Sequence, residues 1–147
     1  MDQCIFCKII AGEIPTTKWW ENDNFIAILD INPNIKGVTL VIPKKHEPSD
    51  FGNASEETLI HAARSLKDPI QKLKKYFNTE RVGLVVEGVG VNHLHFKLYP
   101  FIGIDSGVSE SEDTIYFDKY PGYMTTKLGP KASPEELEEL VMGLTNI

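Results

Sequence analysis

NHLHFKLY, residues Asn92 to Tyr99, places histidine or lysine at every second position, with leucine or phenylalanine between them. A period of two marks a β-strand, because successive side chains point to opposite faces of a sheet. Leu94, Phe96 and Leu98 then form a core-facing row, while His93, His95 and Lys97 share the other face. A solvated sheet face would account for such a polar row by itself. Two of the chain's four histidines beside a cation, just after a loop containing Gly88 and Gly90, fit a functional site instead.

The flanking segments supply the rest of a sheet and a helix to cover it. Thr17 to Trp20 and Phe25 to Asp30, separated by the polar turn Glu21 to Asn24, read as a hairpin. Val38 to Ile42 is nearly all apolar between Gly37 and Pro43, as expected of a strand covered on both faces. Arg81 to Glu87 reads as a further strand. Between them, Leu59, Ala62, Ala63, Leu66, Ile70, Leu73 and Phe77 form a helical stripe, with Ser55 as N-cap and a kink or split at Pro69. Cys4 to Ala11 is an apolar helical segment closed by Gly12. Strands, helix, then strands predict an α+β domain in which the main helix packs on an antiparallel sheet. Beyond Pro100 the pattern predicts a polar loop over Gly103 to Asp113, a short strand over Thr114 to Phe117, and a C-terminal helix. Ser133 caps that helix, with Pro134 at its first position and Glu135 and Glu136 in its first turn.

At 147 residues the chain reads as one domain, 1–147, large enough for a single core without a metal or disulfide. A formal net charge of −6 argues against a nucleic-acid polymer or an anionic membrane as partner, though not against a small phosphorylated ligand. Apolar runs such as Gly37 to Pro43 are too short to cross a bilayer, and Met1 to Ile10 lacks the pattern of a signal peptide, so a cytoplasmic location is expected. In a reducing compartment, Cys4 and Cys7, with two residues between them, make half of a metal site or a redox pair; a pair of buried thiols is the alternative.

Taken in order, CIFCK (Cys4 to Lys8), LDINP (Leu29 to Pro33), LVIPKKH (Leu40 to His46) and HLH (His93 to His95) resemble the histidine triad (HIT) family. The resemblance covers residues 1 to about 100, a HIT core, and leaves 101–147 as a less well matched C-terminal extension. It implies a five-stranded antiparallel sheet with helices and a homodimer that pairs two such sheets. It also implies hydrolase or transferase action at the α-phosphate of nucleoside phosphoramidates or dinucleoside polyphosphates.

By the same resemblance His95 is the nucleophile, attacking phosphorus to form a nucleotidyl-histidine that water resolves. Its other ring nitrogen must then carry the proton and be held by an acceptor such as a backbone carbonyl. The family motif has a third histidine where this chain has Lys97, which offers phosphate a permanent charge but is a poor proton relay at neutral pH. Glu87 stands where the family commonly has asparagine. Asp30 is expected to accept from the ribose hydroxyls of a purine nucleotide, with Phe6, Ile9, Ile28 and Ile31 as an apolar slot for the base and Gly88 and Gly90 letting backbone N–H groups approach the phosphate. Cys4, Cys7, His46 and His93 are the expected ligands of a structural zinc, which leaves His95 free. Three readings follow: an enzyme, a zinc-stabilised nucleotide sensor with little or no catalysis, or a dimerisation scaffold.

Overall fold

The computed structural model describes residues 4–103, 114–125, 130 and 132–145. The chain divides into two compact units, Met1–Asp105 and Ser106–Ile147. In the first, helix α1 (Ile5–Ile10) precedes strands β1 (Lys18–Glu21), β2 (Phe25–Leu29) and β3 (Thr39–Pro43); helices α2 (Glu56–Ser65) and α3 (Lys67–Phe77) follow, then strands β4 (Val82–Val85) and β5 (Phe96–Pro100). The strands form one antiparallel sheet in the order β1-β2-β3-β5-β4. This is the α+β architecture that the sequence predicts.

The alternation of side chains divides the core between the two faces of this sheet. Phe25, Ala27, Val41, Phe96 and Leu98 pack with Leu94 against Ala62 and Leu66 of the α2–α3 segment and Leu73 of α3. Ile26, Ile28, Leu40 and Ile42 point the other way and pack on Phe6 of α1, joined by Cys4, Ile9, Ile10 and Val91. All five residues of β3 are buried, because each face of this strand is covered. Lys97 lies opposite Leu40 in the ladder, so its side chain belongs to the α1 face, where the polar row meets the smaller apolar cluster.

The main helix divides at Leu66, which joins α2 to α3 in right-handed helical conformation. Pro69 accounts for the break: with no N–H to donate, it leaves the carbonyl of Ser65, four residues back, outside the ladder. Ser55 caps α2 through its hydroxyl, which accepts from the Thr58 N–H, as its position predicts.

The expected strand over Asn92 to Tyr99 is shorter than its alternation suggests, since the ladder runs only from Phe96 to Pro100. His93 and Leu94 are drawn elsewhere: the His93 N–H donates to the Val91 carbonyl at 2.8 Å, and the Leu94 N–H donates to the Glu47 carbonyl at 2.9 Å. Strand β4 likewise covers Val82–Val85 rather than the whole of Arg81 to Glu87.

In the second unit, Thr114 to Phe117 is not in a strand. Helix α4 (Pro134–Thr145) begins where the sequence places it, and Ser133 and Glu136 cap it reciprocally, each side chain accepting from the other's backbone N–H. Most of the predicted Gly103 to Asp113 loop lies outside the described residues. Among the described residues, no helix is long and apolar enough to cross a membrane.

Candidate functional site

Four side chains distant in sequence meet at the N-terminal end of α1. Cys4 and Cys7 are brought there by the first turn of the helix, His46 by the segment after β3, and His93 by the loop before β5. Their ligand atoms all lie within 4.8 Å of one another. His93 is fully buried, and its Nε2–H donates to the Pro43 carbonyl at 2.9 Å. That bond fixes the tautomer and leaves the Nδ1 lone pair facing Cys4 Sγ at 3.3 Å and Cys7 Sγ at 3.6 Å. His46 Nδ1 is 3.3 Å from Cys7 Sγ.

These separations suit a tetrahedral ion, for which metal bonds of about 2.3 Å to sulfur and 2.0–2.1 Å to nitrogen set sulfur and nitrogen about 3.5 Å apart. Burial lowers the pKa of His93, favouring the neutral form that ligates. Burial also raises the Cys7 thiol, and the neighbouring Cys4 raises it further. Two adjacent thiolates need a compensating cation, which a divalent metal supplies. The Pro43 carbonyl bond is the outer-shell support that ligating histidines commonly have. The four expected ligands are therefore close enough to bind a metal ion.

His95 stands apart from this cluster. Its Nδ1–H donates to the His93 carbonyl at 2.7 Å, so in the neutral ring the unprotonated nitrogen is Nε2. The ring is half-buried, and the Phe6 ring meets it edge-on at a centroid distance of 5.2 Å. Phe6 also meets His93 edge-on at 5.9 Å, so one aromatic ring braces both histidines from α1.

Lys97 and Asp30 form an ion pair at 3.0 Å, with side chains 26% and 11% exposed. The other carboxylate oxygen of Asp30 accepts the Asn32 N–H at 2.9 Å. Burial opposes the charge on Asp30, but the Asn32 N–H and the Lys97 ammonium outweigh it and hold the carboxyl below the usual aspartate range. Burial also opposes the charge on Lys97, and Asp30 more than offsets it, holding the ammonium above the ordinary lysine value. Both groups are charged at neutral pH. The family resemblance implies separate roles for Asp30 and Lys97; their pairing follows from the alignment of β2, β3 and β5.

The remaining expected residues occupy different environments. Phe6 and Ile28 are buried in the same apolar cluster, and Ile9 packs on its edge. Ile31 is 88% exposed and has no part in that cluster. Gly88 has φ +73°, and a Cβ there would fall 2.5 Å from the Ser49 carbonyl oxygen, so loop packing already demands glycine. A Cβ at Gly90 would meet open space, and Glu87 is exposed.

Sequence reasoning missed a polar brace behind the histidines. Asn92 Oδ1 accepts from the Ser49 N–H at 3.1 Å, and the buried Glu47 carboxylate accepts from Ser55 and Thr58 hydroxyls at 3.0 Å each. With the Glu47 carbonyl holding Leu94, these bonds tie the His93 segment to the start of α2. Only the spacing of Ser55 and Thr58 at a helix start hinted at it. A cavity of about 220 Å³ lies elsewhere, lined by residues including Asn24, Lys44, Lys45 and His61 and by none of the row. Its two lysines are paired with Glu21 and Glu47.

Residues 11–100 match the HIT domain. The chain is 31% identical over 143 residues to adenosine 5'-monophosphoramidase hnt1 of Schizosaccharomyces pombe, covering 93% of this chain and 92% of that one. It is 35% identical over 108 residues to adenylylsulfatase HINT3 of Arabidopsis thaliana, covering 67% of this chain and 52% of that one. The crystal structure of SMU.412c from Streptococcus mutans superposes with a TM-score of 0.73 at 26% identity, covering 99% of this chain and 85% of that one. Sheet order, ordered motifs and these likenesses agree, and the chain belongs to the HIT domain family.

Proposed function

We propose that the protein is a nucleotidyl hydrolase or transferase acting at the α-phosphate of nucleoside phosphoramidates or dinucleoside polyphosphates, with His95 as nucleophile. The observation that carries this reading is the 2.7 Å bond from His95 Nδ1–H to the His93 carbonyl, which commits the lone pair of the neutral ring to Nε2. Nε2 attacks phosphorus, the bond to the leaving group breaks with its electron pair and a proton from solvent going to the departing amine, and the carbonyl stabilises the positive charge that develops on the ring. Water then attacks phosphorus and gives up its proton to solvent, the P–N bond breaks, and its electron pair returns to Nε2. Dividing the displacement in two leaves the protein mainly to position groups and stabilise charge. Two relatives are named for hydrolysis of adenylyl compounds, a phosphoramidate in one and a sulfate in the other, which supports this class of substrate.

The expected accessory features belong to the same proposal. Zinc suits the two cysteines and two histidines; with four protein ligands it has no open position, and its role is to fix α1 and the His93 loop. A homodimer is supported by strand β4, which lies at a sheet edge with Leu84 49% exposed. Two cysteines kept as metal ligands suit a reducing, cytoplasmic setting.

The ion pair between Lys97 and Asp30 favours a second reading, a nucleotide sensor, because a lysine committed to a carboxylate is a weak proton donor. Incubation with adenosine 5′-phosphoramidate and a dinucleoside polyphosphate separates the two. Release of mononucleotide that is lost in His95→Ala supports the enzyme; tight nucleotide binding without release supports the sensor.

A further inference from the structure

Asp30 and Lys97 are the two charged groups of the α1 face that a nucleotide would be expected to meet, and in the free chain each satisfies the other at 3.0 Å. Neither is well solvated, so a ligand that took only one would leave the other charge partly buried without a partner. A nucleoside has a diol for the carboxylate and nothing for the ammonium. Inorganic phosphate has charge for the ammonium, and that same charge repels the carboxylate. A ribonucleoside 5′-phosphate carries both.

We propose that the Asp30–Lys97 ion pair is an exchangeable latch that makes recognition of the ribose diol and of the phosphate mutually dependent, selecting ribonucleoside 5′-phosphates over either fragment. The inference rests on the nucleotide-site reading above and adds Lys97 to it as a specificity determinant. On binding, the Asp30 carboxylate transfers from the ammonium to the hydroxyls, and the ammonium transfers to the phosphate. Ile28, Leu40 and Lys97 lie side by side across β2, β3 and β5, and Asp30 follows two residues after Ile28, so the exchange takes place on one rigid surface. Because the pair must open before either half of the ligand is held, the latch penalises the fragments and not the whole nucleotide.

The latch makes a prediction of sign that a simple phosphate-binding lysine does not. Removing Lys97 frees Asp30, so Lys97→Met should bind adenosine more tightly than the unmodified protein, by about threefold, the scale of a partly exposed ion pair, while binding AMP more weakly. Asp30→Asn should correspondingly bind inorganic phosphate more tightly. Calorimetric titration of adenosine, AMP and inorganic phosphate into the three proteins tests this, with far-ultraviolet circular dichroism reporting the fold of each variant. Tighter adenosine binding with weaker AMP binding in Lys97→Met supports the latch, and tighter phosphate binding in Asp30→Asn supports it independently should Lys97→Met fail to fold. Unchanged or weaker binding of adenosine by a folded Lys97→Met, with AMP still bound by the unmodified protein, overturns the latch alone. Failure of the unmodified protein to bind AMP overturns the nucleotide-site reading and the latch with it.

Discussion

The carbonyl of His93 holds the ring of His95, while the ring of His93 is itself directed at two cysteines. One residue therefore joins the metal-ligand cluster to the proposed nucleophile: its side chain is fixed by Pro43, Cys4 and Cys7, and its backbone sets which nitrogen of His95 is free.

Because His93 is shared, loss of metal should reach beyond stability. Freshly purified protein is expected to contain about one zinc per chain. Removal by a chelator, or Cys7→Ser, should cost about 3 kcal/mol or more, seen as a fall in Tm of about 10 °C. Metal analysis with thermal melts checks this, and a melt indifferent to both treatments would remove zinc from the account.

Phe6 is buried and meets both histidine rings, so Phe6→Ala should destabilise the protein by about 3–5 kcal/mol. Ile31→Ala, at an exposed turn, should change stability by less than about 0.5 kcal/mol. Urea denaturation of the two variants measures the contrast. If Ile31 nonetheless helps to form the base slot, its variant weakens nucleotide binding at unchanged stability.

The two loop glycines should behave differently. Gly88→Ala combines a positive φ with a close approach to the Ser49 carbonyl, and an expected cost of about 1–3 kcal/mol follows. Gly90→Ala enters open space and should be neutral in stability. Loss of turnover in Gly90→Ala without loss of stability would assign that backbone to the phosphate, and chemical denaturation beside an activity assay decides it.

The Asp30–Lys97 pair gives stability a definite pH dependence. Asp30 has a lowered pKa in the folded chain, so its contribution is present above the ordinary aspartate value of 3.8 and is lost as pH falls through the lowered one. Lys97 has a raised pKa, so its contribution is complete below the ordinary 10.5 and disappears as pH rises through the raised value. Asp30→Asn should lower Tm slightly at neutral pH, where the pair is intact, and by less in acid, so that the acid limb of a plot of Tm against pH flattens; the change is small because a partly exposed pair contributes little.

The sheet was legible wherever one strand's own pattern decides its fate. The apolar run Val38 to Ile42 and the alternation from Leu94 to Leu98 identify a doubly covered strand and a half-covered one, and they occupy neighbouring central positions. The clustering of Cys4, Cys7, His46 and His93 was legible through family resemblance, since no periodicity in the chain relates Cys4 to His93. What stayed hidden depends on pairing between distant segments. The Asp30–Lys97 bridge needs three strands in register, and the withdrawal of His93 and Leu94 from the ladder needs the Glu47 carbonyl beside them. Gly88 looked suited to phosphate, and only the Ser49 carbonyl showed why the loop needs glycine there.

In the proposed reaction His95 Nε2 attacks phosphorus. Mixing the protein with adenosine 5′-phosphoramidate, quenching in the first turnover without acid, and mapping the adduct by mass spectrometry tests it directly. Adenylate attached to His95, and no adduct in His95→Ala, is the expected result. Turnover with no adduct, or an adduct that survives in His95→Ala, would contradict it.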